Sequence, residues 1–171
     1  MQNSLRIIFS AVIVLVMAAG AGGCTREPSD SVDDASGTEN LVINEIVAKA
    51  SDGGNDWVEL YNAGDKAASL SDYSLMDDNG LREKAQLPDK VLAPGEFIVL
   101  LAVDKAPKDG SYYVPFKLAT DDVLTLYKGN RIVDSLDWDD GDAPEGSSYG
   151  RFPDGWDDVI MLTPTPGEQN G

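Results

Sequence analysis

From Leu41 onward the apolar runs of this chain are short, each is closed by turn-forming residues, and none repeats with a helical period. Leu41 to Ala48 (LVINEIVA) stops at Ser51-Asp52-Gly53-Gly54-Asn55. Asp56 to Asn62 (DWVELYN) alternates, with Val58 and Leu60 on one face and Trp57, Glu59 and Tyr61 on the other. Leu70, Tyr73 and Leu75 mark a third strand, closed by Asp77-Asp78-Asn79-Gly80. Leu92-Ala93-Pro94-Gly95 turns the chain into Glu96 to Val103, which is apolar at both parities and is therefore expected to be covered on both sides. Asp122 to Tyr127 and Arg131 to Trp138 flank the Gly129-Asn130 turn and should pair as antiparallel neighbours. In the second of these, Ile132, Leu136 and Trp138 share a parity. About seven short strands with regularly spaced turns predict an all-β sandwich.

The segment before these strands has a different character. Arg6 precedes an uncharged apolar run, Ile7 to Met17, followed by Ala18-Ala19-Gly20-Ala21-Gly22-Gly23 and then Cys24, the only cysteine. A basic start, a short apolar stretch and small residues read as an export signal over residues 1–23. The apolar stretch is shorter than the roughly 20 residues a membrane span needs. Its junction with Cys24 resembles the lipobox of bacterial lipoproteins, with Ala21 where that pattern prefers leucine. The resemblance implies cleavage before Cys24, a diacylglycerol on its sulfur and an amide-linked, palmitate-type chain on its new N-terminus. With Thr25 rather than aspartate next, it also implies the outer membrane if the cell has two. Residues 24–40 then form the lipidated cysteine and an acidic stretch with little to bury, expected as a solvated tether. Residues 41–171 form the folded domain.

Charge and residue usage exclude several chemistries. The chain carries 13 Lys+Arg against 30 Asp+Glu, a formal net charge of −17, one unit more negative once Arg6 is removed. Nucleic acid is not expected as a partner, because phosphate-backbone affinity comes from Lys and Arg. Histidine is absent, which removes the commonest general base and the commonest zinc and copper ligand. If Cys24 is acylated, no thiol remains for nucleophilic or thiolate-metal chemistry. With one cysteine no internal disulfide can form, so the core must hold the fold unaided.

A series of short motifs is more specific. Ile43-Asn44-Glu45-Ile46, Asp56-Trp57-Val58-Glu59-Leu60-Tyr61-Asn62, Leu70-Ser71-Asp72-Tyr73-Ser74-Leu75 and Leu92-Ala93-Pro94-Gly95-Glu96-Phe97 follow one another. Ser148 to Gly155 (SYGRFPDG) and Thr165-Pro166-Gly167 close the series. Together they resemble the lamin-tail domain family in its bacterial secreted branch, over about residues 41–171. The resemblance implies an immunoglobulin-like β-sandwich. The chromatin-docking role of nuclear members is not carried over, since the acidic charge departs from what it would need and residues 25–40 hold no heptads.

Three sets of residues are candidates for chemistry. Glu45 and Glu59, inside otherwise apolar strands, could be a hydrolase's acid pair or cation ligands. The structural alternative has them accept hydrogen bonds from turns or pair with Arg151, the only Lys or Arg in the last 40 residues. Asn44, Trp57 and Asn62 complete this group as residues of the fold motif. Asp137, Asp139, Asp140 and Asp142 crowd the turn at Gly141 and offer oxygens to Ca²⁺, although their spacing matches no regular calcium loop. Asp77, Asp78 and Asn79 form a weaker set of the same kind. Trp57, Trp138 and Trp156 could stack on sugar rings or serve as core and loop anchors. No phosphate loop, zinc spacing or nucleophile elbow occurs.

The expectation is therefore an exported, lipid-anchored, monomeric module of the cell envelope that binds or supports and does not catalyse. It needs no cofactor beyond a calcium ion at most, and its envelope protein or glycan partner is not identified. The alternatives are a carbohydrate-binding or calcium-dependent adhesion module, and a small carboxylate-based glycoside hydrolase.

Overall fold

Residues 37–51, 53–78 and 84–171 are described by a computed structural model. The leader, Cys24, the tether up to residue 36 and Asn79 lie outside the described residues. The strands are β1 (Leu41–Val47), β2 (Trp57–Asn62), β3 (Ala68–Ser69), β4 (Tyr73–Asp77), β5 (Ala85–Gln86) and β6 (Val91–Leu92). They continue with β7 (Phe97–Ala102), β8 (Tyr113–Val114), β9 (Asp122–Lys128), β10 (Arg131–Trp138), β11 (Ser148–Arg151) and β12 (Val159–Leu162). Among the described residues the one helical element is the 3-10 turn Leu70–Asp72.

The strands form a six-stranded sheet in the order β12-β11-β1-β2-β7-β8 and a four-stranded sheet in the order β10-β9-β4-β5, with β3 and β6 paired beside them. Side chains from both larger sheets share one apolar core. Ile43, Ile46, Val58, Leu60 and Leu100 come from the first; Leu75, Leu124, Leu126, Leu136 and Trp138 come from the second. Fully burying one such side chain contributes about 1.5–3 kcal/mol relative to leaving it in water. This is the all-β, immunoglobulin-like sandwich expected from the strand pattern, and β9 and β10 are antiparallel neighbours across the Gly129-Asn130 turn.

Two bulges decide which side chains face where. Ile43 is opposite Leu60 but Glu45 is opposite Glu59, so Asn44 is an extra residue on β1. Strict alternation would send Ile43 and Ile46 to opposite faces; the bulge lets both enter the core. Val133 is the extra residue on β10, where Ile132 faces Tyr127 and Asp134 faces Leu126. Ile132 is consequently 59% exposed while Leu136 and Trp138 are buried, which corrects the shared parity assigned to the three.

A second correction concerns which strand is covered on both sides. β7 alternates between buried and half-buried positions, with Phe97 stacked on Tyr61 at a ring-centroid distance of 4.6 Å. β1 is buried along its whole length, despite carrying Asn44 and Glu45. Its outer face is closed by residues from the C-terminal segment, a cover that a strand's own composition cannot reveal. At the other end, residues 38–40, read above as the end of the tether, are bonded to the loop after β2. Asn40 O accepts from Ala63 N at 2.8 Å and Thr38 O accepts from Asp65 N at 3.1 Å. Gly64 makes that approach possible, since a Cβ there would stand 2.3 Å from Thr38 O.

Candidate functional site

Glu45 and Glu59 lie opposite each other on β1 and β2, on the side away from the core, and neither has exposed surface. The segment after β12 runs across them. Glu45 accepts from Ser148 Oγ and from Thr165 N, at 3.2 Å to Oε1 and 3.3 Å to Oε2. Glu59 accepts from Gly167 N at 2.6 Å and from Asn44 Nδ2 at 3.2 Å. Asn44, placed outward by the bulge, also donates to Asp154 Oδ1 at 2.8 Å and accepts from Gly155 N at 3.1 Å. The C-terminal turn is tied in further by Asn170, whose N donates to Asp154 at 3.1 Å and whose Nδ2 donates to Arg151 O at 2.8 Å. Gly150, opposite Glu45, leaves room for the bulge: a Cβ there would meet Asn44 O at 2.7 Å.

Burial governs the protonation of this pair. Loss of water pushes the Glu59 carboxyl up to about 7, with the Glu45 and Asp154 charges adding to the effect and the Gly167 and Asn44 hydrogen bonds opposing it. Glu45 is also raised, chiefly by burial, against the donors Ser148 and Thr165. Thr165 Oγ1 lies 2.8 Å from Asn170 Oδ1 and 3.2 Å from Glu45 Oε2. The single hydroxyl proton of Thr165 is shared between Asn170 and Glu45. The carboxylates are thus committed to the chain's own donors, and no buried side-chain polar atom among the described residues lacks a partner.

Arg151 pairs with neither glutamate. Its guanidinium bonds Asp134 Oδ1 at 2.7 Å, Ile43 O at 2.9 Å and Trp156 O at 2.6 Å, and lies 3.6 Å from Asp157. Asp134 in turn accepts from Ile43 N at 2.7 Å. Asp134 shares the parity of the buried Leu136 and Trp138, so regular alternation on their side of the Val133 bulge turns it inward, to the cation that the sequence assigned to the wrong carboxylates.

The remaining candidates separate. Asp137, Asp139 and Asp142 line a cleft of about 220 Å³ with Trp138 and Tyr149, without Asp140. Asp142 Oδ2 accepts from Asp139 N at 3.1 Å, closing the turn on itself. Among the described residues no three carboxylates are gathered so as to hold a metal ion. Trp57 and Trp138 are buried, the latter donating from Nε1 to Ala119 O at 3.0 Å, whereas Trp156 is 61% exposed. Asn62 is a stitch: Nδ2 donates to Lys66 O at 2.8 Å and Leu92 O at 2.9 Å, and Oδ1 accepts from Gly64 N at 3.0 Å.

No sequence motif marks the remaining cleft. A cleft of about 360 Å³ is lined by Glu39, Lys66, Tyr73, Lys128, Arg131 and Val133, among others. Glu39 bonds Lys128 Nζ and accepts from Tyr73 Oη at 2.9 Å. The Lys128 ammonium holds the Glu39 carboxyl below the usual range against the opposing effect of burial, with Tyr73 and then Lys66 adding to the lowering.

A family model described as the Lamin Tail Domain matches residues 34–143, a span that contains β1 to β10 and stops before β11. No curated protein matches the chain.

Proposed function

The chain belongs to the lamin tail domain family, and from that premise we propose that it is an exported, lipid-anchored module of the cell envelope that binds or scaffolds and does not catalyse. The observation that carries this reading is the commitment of Glu45 and Glu59. A glycoside hydrolase needs two carboxyl groups that reach a substrate from water. Here the strongest acid pair has no exposed surface and serves as the socket for Thr165 and Gly167. The lipid anchor rests on the leader and Cys24, by resemblance. Each acyl methylene placed in the bilayer contributes about 0.8 kcal/mol, so several chains give slow release.

The carbohydrate-binding alternative rests on Trp156, the one tryptophan with a free face. Membrane fractionation of cells producing the wild-type chain and Cys24→Ser tests the main reading. Wild type should sediment with membranes and Cys24→Ser should be released; equal partitioning of the two would overturn the anchor.

A further inference from the structure

The cleft beside Glu39 lies at the end of the four-stranded sheet, and strand register explains its charge. Tyr73 on β4 is opposite Lys128 on β9, and Lys128 is opposite Arg131 on β10. One row across three strands therefore presents a phenol and two cations. Like charges directly opposite each other on paired strands are destabilising. Among the described residues Glu39 is the carboxylate bonded to this row, and the Asp72 charge also reaches Tyr73. Lys66 adds a third cation from the loop after β2. Among the described residues the Arg131 guanidinium has no side-chain hydrogen bond or ion pair, and its charge reaches the Tyr73 hydroxyl.

We infer that this cleft is an anion-binding site that takes an oxyanion group, a carboxylate or a phosphate, of an acidic ligand between Arg131 and the Lys128–Tyr73 pair, with Glu39 as an internal carboxylate already seated at one end. The arrangement suits that chemistry in three ways. Arg131 offers a planar fork that matches two oxygens. Lys128 and Tyr73 Oη already bind a carboxylate, that of Glu39, so the donors are oriented before a ligand arrives. The cleft volume of about 360 Å³ leaves space beside Glu39 for a small charged group. Glu39 is held on the segment bonded to Ala63 and Asp65, so it tunes the site rather than filling it. The inference deepens the reading of the chain as a binding module by naming a ligand class, and it does not depend on the lipid anchor.

The test is titration of the full chain, ¹⁵N-labelled, with a pentaglutamate peptide and separately with inorganic phosphate at fixed ionic strength. The expected result is saturable shifts at residues 38–40, 66, 73, 128 and 131, with affinity reduced about tenfold in Arg131→Glu and raised in Glu39→Gln. Saturation by the peptide alone identifies a carboxylate source, and by phosphate alone a phosphate source. Absence of saturation with both probes in wild type and Glu39→Gln overturns the site. Shifts that persist unchanged in Arg131→Glu, with its melting temperature preserved, overturn it equally. Membrane partitioning of Cys24→Ser is unaffected by either outcome, so failure here is distinct from failure of the anchor.

Discussion

Glu45 and Glu59 face each other across β1 and β2 with no exposed surface and, among the described residues, no cation bonded to either. Two carboxylates placed so closely on paired strands repel. They are compatible because main-chain N–H groups from the C-terminal segment and a retained proton take the place of a counter-ion.

Stability should therefore fall as pH rises from the ordinary carboxylate range to neutrality. Glu59 sits at about 7 in the folded chain against 4.5 unperturbed. Between those values the folded state holds a proton that the unfolded state has released, so raising pH favours unfolding; above about 7 the effect is complete. The Glu59 contribution is at most about 3 kcal/mol. Melting curves at pH 5 and pH 8 should show a clear drop for wild type and a smaller one for Glu59→Gln. Equal drops in both would contradict the assignment.

Removing the C-terminal segment should uncover the same pair. A chain ending at Leu162 loses the donors Thr165 and Gly167 together with the Asn170 contacts. Water replaces the lost donors once the pair is uncovered, so each hydrogen bond contributes its net worth, about 0.5–1.5 kcal/mol and up to about 3 kcal/mol to a charged acceptor. Denaturant titration should give a markedly lower midpoint, and a midpoint equal to wild type would show that the segment lies on the sheet without holding it.

Arg151→Ala should destabilise more than a surface charge deletion. It strands the nearly buried Asp134 carboxylate and removes the donor to Ile43 O, and breaking such a pair costs about 3–5 kcal/mol. A double-mutant cycle with Asp134→Ala should show strong coupling, because both residues act on one Ile43 peptide edge. Additive losses would refute the pairing.

The Arg151 case also shows what the sequence could and could not reveal. A lone cation in an acidic C-terminal stretch pointed to a carboxylate partner near the core, and that inference was sound. The partner was misassigned although Asp134 shares the inward parity of Leu136 and Trp138, because its meeting with Arg151 on β11 depends on how the two sheets pack, which strand patterning does not show. The Asn44 bulge hid the shared face of Ile43 and Ile46. Alternation made β2 and β9 legible, whereas β11 and β12, four residues each among glycines and prolines, gave no periodic signal. The cationic cleft was invisible for a different reason: Lys66, Lys128 and Arg131 meet only through strand register and a loop distant in the chain.

For the acidic turn at Gly141, millimolar calcium should leave the melting temperature where EGTA leaves it at matched ionic strength, because the turn is closed by the Asp142 to Asp139 bond. A gain that disappears in Asp142→Asn would restore the cation reading.

The most direct measurement is intact and peptide mass analysis of the protein extracted from its native membranes. An N-terminal peptide beginning at Cys24 and heavier by a diacylglycerol and a fatty-acyl group is the predicted result. A free Cys24 thiol with residues 1–23 still attached would contradict the account of an anchored envelope module.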